Sequence, residues 1–153
     1  MTYDEDYAIK ECAYSIASYC PLKKITDWDC VPCGKYIPKP AQIIPLFNKT
    51  GSNVGFIGYD ELTKTIKIVF QGTRPWIYKE LIDDINIFKI QYPYCPNCKV
   101  HQGFYFSYLD LQSQVLNSLD LLRKNYPNAS ISVTGHSLGA AISVLCAIDL
   151  VVN

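Results

Sequence analysis

The sequence predicts a layered α/β domain, and three observations carry that prediction. Two strand-like runs, Val54 to Tyr59 and Thr65 to Phe70, flank the polar stretch Asp60-Glu61-Leu62-Thr63-Lys64 and read as a hairpin. Phe104 to Asn125 places Tyr108, Leu111, Val115, Leu119 and Leu122 at helical spacing and ends before Pro127. Ser130 to Thr134, a short β-branched strand, runs through Gly135-His136-Ser137-Leu138-Gly139 into Ala140 to Val152, which is apolar almost all round, as a helix buried in a layered fold is. With 153 residues and 17.3 kDa, the chain is one domain or part of one.

The remaining segments follow in order. Residues 3 to 19 carry Tyr7, Ala8, Cys12 and Ile16 on an apolar stripe at helical spacing, closed by Pro21, so an amphipathic helix is expected there. From Cys20 to Pro45 the prolines are dense and no period is sustained, which predicts an irregular strap. Trp28, Tyr36, Ile43 and Ile44 are too apolar for a solvated linker, so the strap must pack. After Gln71-Gly72-Thr73, Pro75 suits a first helical turn, and apolar residues at 77, 81, 82, 85 and 88 predict a short surface helix or lid. Tyr92 to Cys98 reads as a loop, and no internal repeat or low-complexity segment is present.

Composition excludes several classes of function. Hydrophobic residues make up 49% and charged residues 18%, with Lys+Arg 14 against Asp+Glu 14, which argues against disorder and against a phosphate-backbone binder; no nucleic-acid partner is expected. No apolar run reaches the ~18 residues of a membrane-spanning helix, so no transmembrane segment is expected, and the acidic start Met1-Thr2-Tyr3-Asp4-Glu5-Asp6 is unlike the basic start of a signal peptide. Seven cysteines, at 12, 20, 30, 33, 95, 98 and 146, are many for a cytosolic chain. The Cys30/Cys33 and Cys95/Cys98 pairs are open to three readings: disulfides, a four-cysteine zinc site, or a redox pair. The sequons Asn48-Lys49-Thr50 and Asn128-Ala129-Ser130 fit a secretory route, and the expected location is extracellular.

Chemistry concentrates in Gly135-His136-Ser137-Leu138-Gly139. Between a strand and a helix, this Gly-x-Ser-x-Gly pattern is a nucleophile elbow, a turn tight enough to strain the serine backbone and lift its hydroxyl above the sheet edge. The Leu138 N–H then faces a developing oxyanion at the positive end of the helix dipole.

Together with Ile68-Val69-Phe70-Gln71-Gly72-Thr73, the acid Asp84 and Val100-His101-Gln102-Gly103-Phe104, this stretch resembles the class 3 lipases, the fungal-type α/β-hydrolases that include triacylglycerol lipases and feruloyl esterases. The resemblance implies an α/β-hydrolase three-layer sandwich that stops after the nucleophile-elbow helix, with residues 1–153 a partial domain lacking its C-terminal half. It implies Ser137 as nucleophile, the Thr73 and Leu138 N–H groups as the oxyanion hole with the Thr73 hydroxyl as a further donor, and Asp84 as support for the oxyanion loop. It also implies a lid over Arg74 to Ile82, with Trp76 and Ile77 touching a lipid interface, and a disulfide between Cys95 and Cys98 like that of the feruloyl esterase branch. For Asp84 the plain alternative is a solvated helix-end carboxylate, and for Trp76 and Ile77 it is core packing. No cofactor and no metal is implied.

The pattern breaks after the elbow. A serine nucleophile needs a base, and in this fold the chain order is Ser, Asp, His. Beyond Ser137 stand Asp149 and no histidine, while His101 and His136 already have places in the family pattern. The expectation is therefore a serine ester hydrolase, cleaving carboxylic esters of lipids or related compounds, whose triad Asp and His lie beyond residue 153. The alternative is an inactive hydrolase remnant that binds lipid or a protein partner, and a zinc or redox module is a third reading.

Overall fold

The computed structural model describes residues 3–51, 54–73 and 88–152. A four-stranded sheet forms its centre, in the order β1 (Ala41–Phe47), β2 (Val54–Asp60), β3 (Thr65–Phe70), β6 (Ser130–Gly135). The first three strands are antiparallel neighbours and β6 lies parallel to β3, with Phe70 opposite Gly135. That last register brings the end of β3 and the start of the Gly-x-Ser-x-Gly turn to one edge of the sheet.

Strand alternation splits the core into two layers. Ile66, Ile68 and Phe70 join Ile57 and Tyr59 against α3 (Gln102–Asn125) and α4 (Leu138–Val152). Phe56 and Val69 face the other way, onto α1 (Glu5–Ala17), α2 (Leu22–Asp27), Trp28 and Ile37. Helices on both faces make the three layers that the sequence predicts.

Asp4 caps α1, its carboxylate accepting the Tyr7 N–H at 3.0 Å. The helix buries Ala13, Tyr14 and Ala17, which corrects the expected stripe: Cys12 and Ile16 lie on its exposed side, and Tyr7, on the sheet side, is half exposed. The physical reason is close approach, because the alanines let the helix sit near the sheet while Tyr14 reaches down between Trp28 and Asp60. The exposed side is not featureless, since Ile9, Cys12 and Ile16 line an apolar groove of about 310 Å³ with Val31, Pro32 and Tyr36.

Charge is buried where the period-two pattern forecasts only apolar contact. Lys67, 1% exposed on β3, points at α1 and forms an ion pair with Glu11. Its ammonium lies 5.1 Å from the Tyr7 ring centre and 5.5 Å from that of Tyr14, and the Tyr14 hydroxyl donates to Asp60 at 3.1 Å. Burial, with Asp60 beside it, raises the Tyr14 pKa well above that of a free phenol.

The strap from Cys20 to Pro45 is more regular than expected. It contains α2, ended by Trp28 in a left-handed conformation (φ 60°), and edge strand β1. Pro45 is accommodated because β1 is the outer strand, with a register shift between Ala41 and Ile44. Cys30–Cys33 closes one disulfide and Cys95–Cys98 a second, the latter in the Tyr92–Cys98 loop between the paired short strands β4 (Lys89–Gln91) and β5 (Lys99–His101). The two pairs thus stand apart as separate disulfides instead of sharing a metal, and among the described residues no cluster of three or more His, Cys, Asp or Glu could hold one. No helix among the described residues is long and apolar enough to cross a membrane.

Candidate active site

β6 and α4 meet at the serine. Ser137 has φ 57°, the left-handed conformation that a side chain disfavours, so the strain expected of an elbow is present. The carbonyls of His136 and Ser137 accept the N–H groups of Gly139 (2.9 Å) and Ala140 (3.0 Å), closing the turn directly into the helix. Both flanking glycines are required by space. A Cβ on Gly135 would lie 2.9 Å from the Phe70 oxygen, and one on Gly139 would lie 2.9 Å from the carbonyl carbons of Phe70 and Gln71. The helix therefore seats its first turn directly on the end of β3.

That contact sets the second half of the site. Gln71-Gly72-Thr73 leaves β3 alongside the elbow, and a Cβ on Gly72 would lie 3.2 Å from that of Ser137. The Thr73 hydroxyl is buried and has no hydrogen-bond partner among the described residues. Leu138 opens α4, where the first N–H groups of a helix lack intrahelical acceptors. The fold thus brings Ser137, Leu138 and Thr73 to one edge, as their predicted roles require. Asp84 and the lid residues Arg74 to Ile82 lie outside the described residues.

Each histidine has a partner other than the serine. His136 is exposed and its Nδ1 lies 3.0 Å from the Tyr19 hydroxyl. His101 caps α3, its Nδ1 accepting the Phe104 N–H at 3.3 Å, with its ring 4.2 Å from that of Phe104. Asp149, on the elbow helix, accepts from Tyr94 (2.9 Å), Tyr108 (2.5 Å) and Gln112 (2.9 Å), so this buried carboxylate anchors the Cys95–Cys98 loop and α3 to α4. Burial and that bond raise the Tyr108 pKa, and burial pushes the neighbouring Cys146 thiol up to about 12.

Two contacts of this neighbourhood are silent in the sequence. Gln71, buried, donates through Nε2 to the Ser18 carbonyl at 2.6 Å, and Tyr19 reaches His136, so the C-terminal end of α1 is fastened to the oxyanion loop and to the elbow. Gln71 and His136 lie in recognisable motifs, whereas Ser18 and Tyr19 lie in none.

A strained serine in a tight turn between a parallel strand and a helix is the strand-turn-helix arrangement of the α/β-hydrolase fold. The relationship can be made narrower. The family model for Lipase (class 3) matches residues 67–153, and the chain belongs to that family. It is 35% identical over 145 residues to a lipase of Rhizomucor miehei, an alignment that covers 89% of this chain and 37% of that protein. Among solved structures, the lipase of Rhizopus microsporus var. chinensis superposes with a TM-score of 0.87 at 28% identity, covering 100% of this chain and 53% of that one. A triacylglycerol lipase whose catalytic centre is formed by a serine protease triad gives 0.82 at 29% identity, covering 98% and 57%. The chain thus spans little more than a third of the curated relative and just over half of these solved chains.

Proposed function

We propose that this chain carries the nucleophile and the oxyanion hole of a serine carboxylic ester hydrolase acting on lipid esters. Ser137 Oγ attacks the ester carbonyl, the tetrahedral oxyanion is held by the N–H groups of Thr73 and Leu138 and by the Thr73 hydroxyl, the alcohol leaves, and water hydrolyses the acyl-enzyme. The observation that carries the reading is the strained Ser137 (φ 57°) beside the buried Thr73 hydroxyl, which has no partner among the described residues: one is a nucleophile held out of the backbone's preferred state, the other a donor free to meet an oxyanion.

The base and the acid that orients it come from outside residues 1–153. His136 Nδ1 meets Tyr19, His101 Nδ1 caps α3, and Asp149 accepts from three donors. An apolar face of α4 fits a domain that continues around it: Val144, Ile148 and Val151 are exposed on one side of the helix, and in the described residues β6 has a strand neighbour on one side only. Asp84 and Arg74 to Ile82, outside the described residues, are assigned by resemblance alone to support of the oxyanion loop and to contact with the lipid interface. Two disulfides fit an oxidising, extracellular destination. The Cys95–Cys98 loop resembles a cystine loop of the feruloyl esterase branch, but an acylglycerol ester is the proposed substrate because both the curated relative and the triad-bearing neighbour are lipases.

The reading is tested by hydrolysis of an emulsified acylglycerol by the intact natural protein and by its Ser137→Ala variant. Turnover by the parent and none by the variant is expected. Turnover that survives the substitution contradicts the assignment.

A further inference from the structure

The end of α1 touches both halves of the oxyanion hole, although it belongs to neither motif. Ser18 is buried and its carbonyl receives the Gln71 side chain at 2.6 Å. One residue on, the Tyr19 hydroxyl lies 3.0 Å from His136 Nδ1, and it covers Gly72 so closely that a Cβ there would collide with it and with the His136 carbonyl oxygen. The rings of Tyr19 and His136 are 6.2 Å apart and inclined at 59°, so hydroxyl and imidazole meet edge-on. Gln71 and Gly72 precede Thr73, and His136 precedes Ser137 and Leu138. One turn of backbone therefore grips, within two residues of each, the two segments whose N–H groups must converge on a single oxygen.

We propose that Tyr19 is a positioning residue for the oxyanion hole: by bonding His136 while lying over Gly72, its hydroxyl fixes the spacing between the Thr73 and Leu138 N–H groups. The inference rests on the proposed role of Ser137. Oxyanion donors act only when preorganised, and small displacements of a reacting geometry carry large rate costs. Glycine at 72 has its reason in the same contact, since any larger residue would take the space the hydroxyl occupies.

Tyr19→Phe in the intact natural protein keeps the ring and removes the bond. The second-order rate of Ser137 phosphonylation is expected to fall roughly tenfold, the size of one lost hydrogen bond, with the apparent affinity for ester substrate unchanged. The amide resonances of Thr73 and Leu138 are expected to shift, and the melting temperature to fall by no more than the roughly 2–4 °C that one hydrogen bond supplies. A double-mutant cycle with His136→Phe distinguishes positioning from general loosening: the double variant is expected to be no slower than either single one. Parent-like phosphonylation of Tyr19→Phe, or additive losses in the cycle, overturns the proposal. If the parent itself is not phosphonylated, the role of Ser137 fails, and the brace is judged by the amides alone: shifts at both Thr73 and Leu138 support it, and unchanged resonances overturn it.

Discussion

Replacing Ser137 by glycine should stabilise the protein while abolishing any chemistry, and the structure gives the size of the effect. At φ 57° the Ser137 Cβ crowds the backbone, which costs about 1–2 kcal/mol relative to the right-handed region. Glycine escapes that cost but has greater freedom in the unfolded chain, which returns about 0.4–1 kcal/mol. Alanine keeps the Cβ and therefore the strain. Ser137→Gly should thus exceed Ser137→Ala in stability by about 0.5–1 kcal/mol, or roughly 2–3 °C in melting temperature for a domain of this size. The assay is paired chemical and thermal denaturation of the parent and both variants, with ester hydrolysis measured in parallel. Both variants should be inactive, and only glycine should be more stable. A glycine variant no more stable than the alanine variant would refute the claim that the elbow stores strain.

Three further outcomes are expected. Thr73→Ala should lower kcat by roughly tenfold to a hundredfold with KM unchanged while Thr73→Ser retains activity, because the hydroxyl serves only the transition state; steady-state kinetics checks this. Glu11→Gln leaves the Lys67 ammonium buried beside a neutral amide and should cost about 3 kcal/mol in urea denaturation, whereas an exposed pair would cost almost nothing. Tyr14, Tyr108 and Cys146 all bind their protons more tightly when folded, so their contribution is complete below the unfolded values and is lost as pH rises through the folded ones. Urea midpoints should therefore decline above about pH 9, where the unfolded thiol begins to ionise, and a midpoint that stays level to pH 11 would contradict this.

The elements that proved legible are those whose pattern has one physical solution. The β2–β3 hairpin, the long helix α3 and the elbow each combine a period with a turn or breaker, and the observed boundaries fall within a few residues of those expected. Strand β1 was hidden by Pro45, which an edge strand tolerates but a pattern of strand formers does not show. Strands β4 and β5 are three residues each, too short for any period to register. Helix α1 was recognised but its buried face was misassigned, because alanines that permit close packing score below the larger residues on the opposite side. Within the site, the proposed roles of Ser137, Leu138 and Thr73 rest on local motifs, since each depends on neighbours in sequence. Tyr19 could not, because its partner His136 is 117 residues away, and pairing over such a distance leaves no local trace.

The central claim is that Ser137 is a nucleophile, and its most direct test is peptide mapping of the intact natural protein after treatment with a serine-directed phosphonate ester. The account predicts a single stoichiometric adduct on the peptide containing Gly135-His136-Ser137-Leu138-Gly139, absent from Ser137→Ala. An adduct elsewhere, or one that persists in Ser137→Ala, would contradict it.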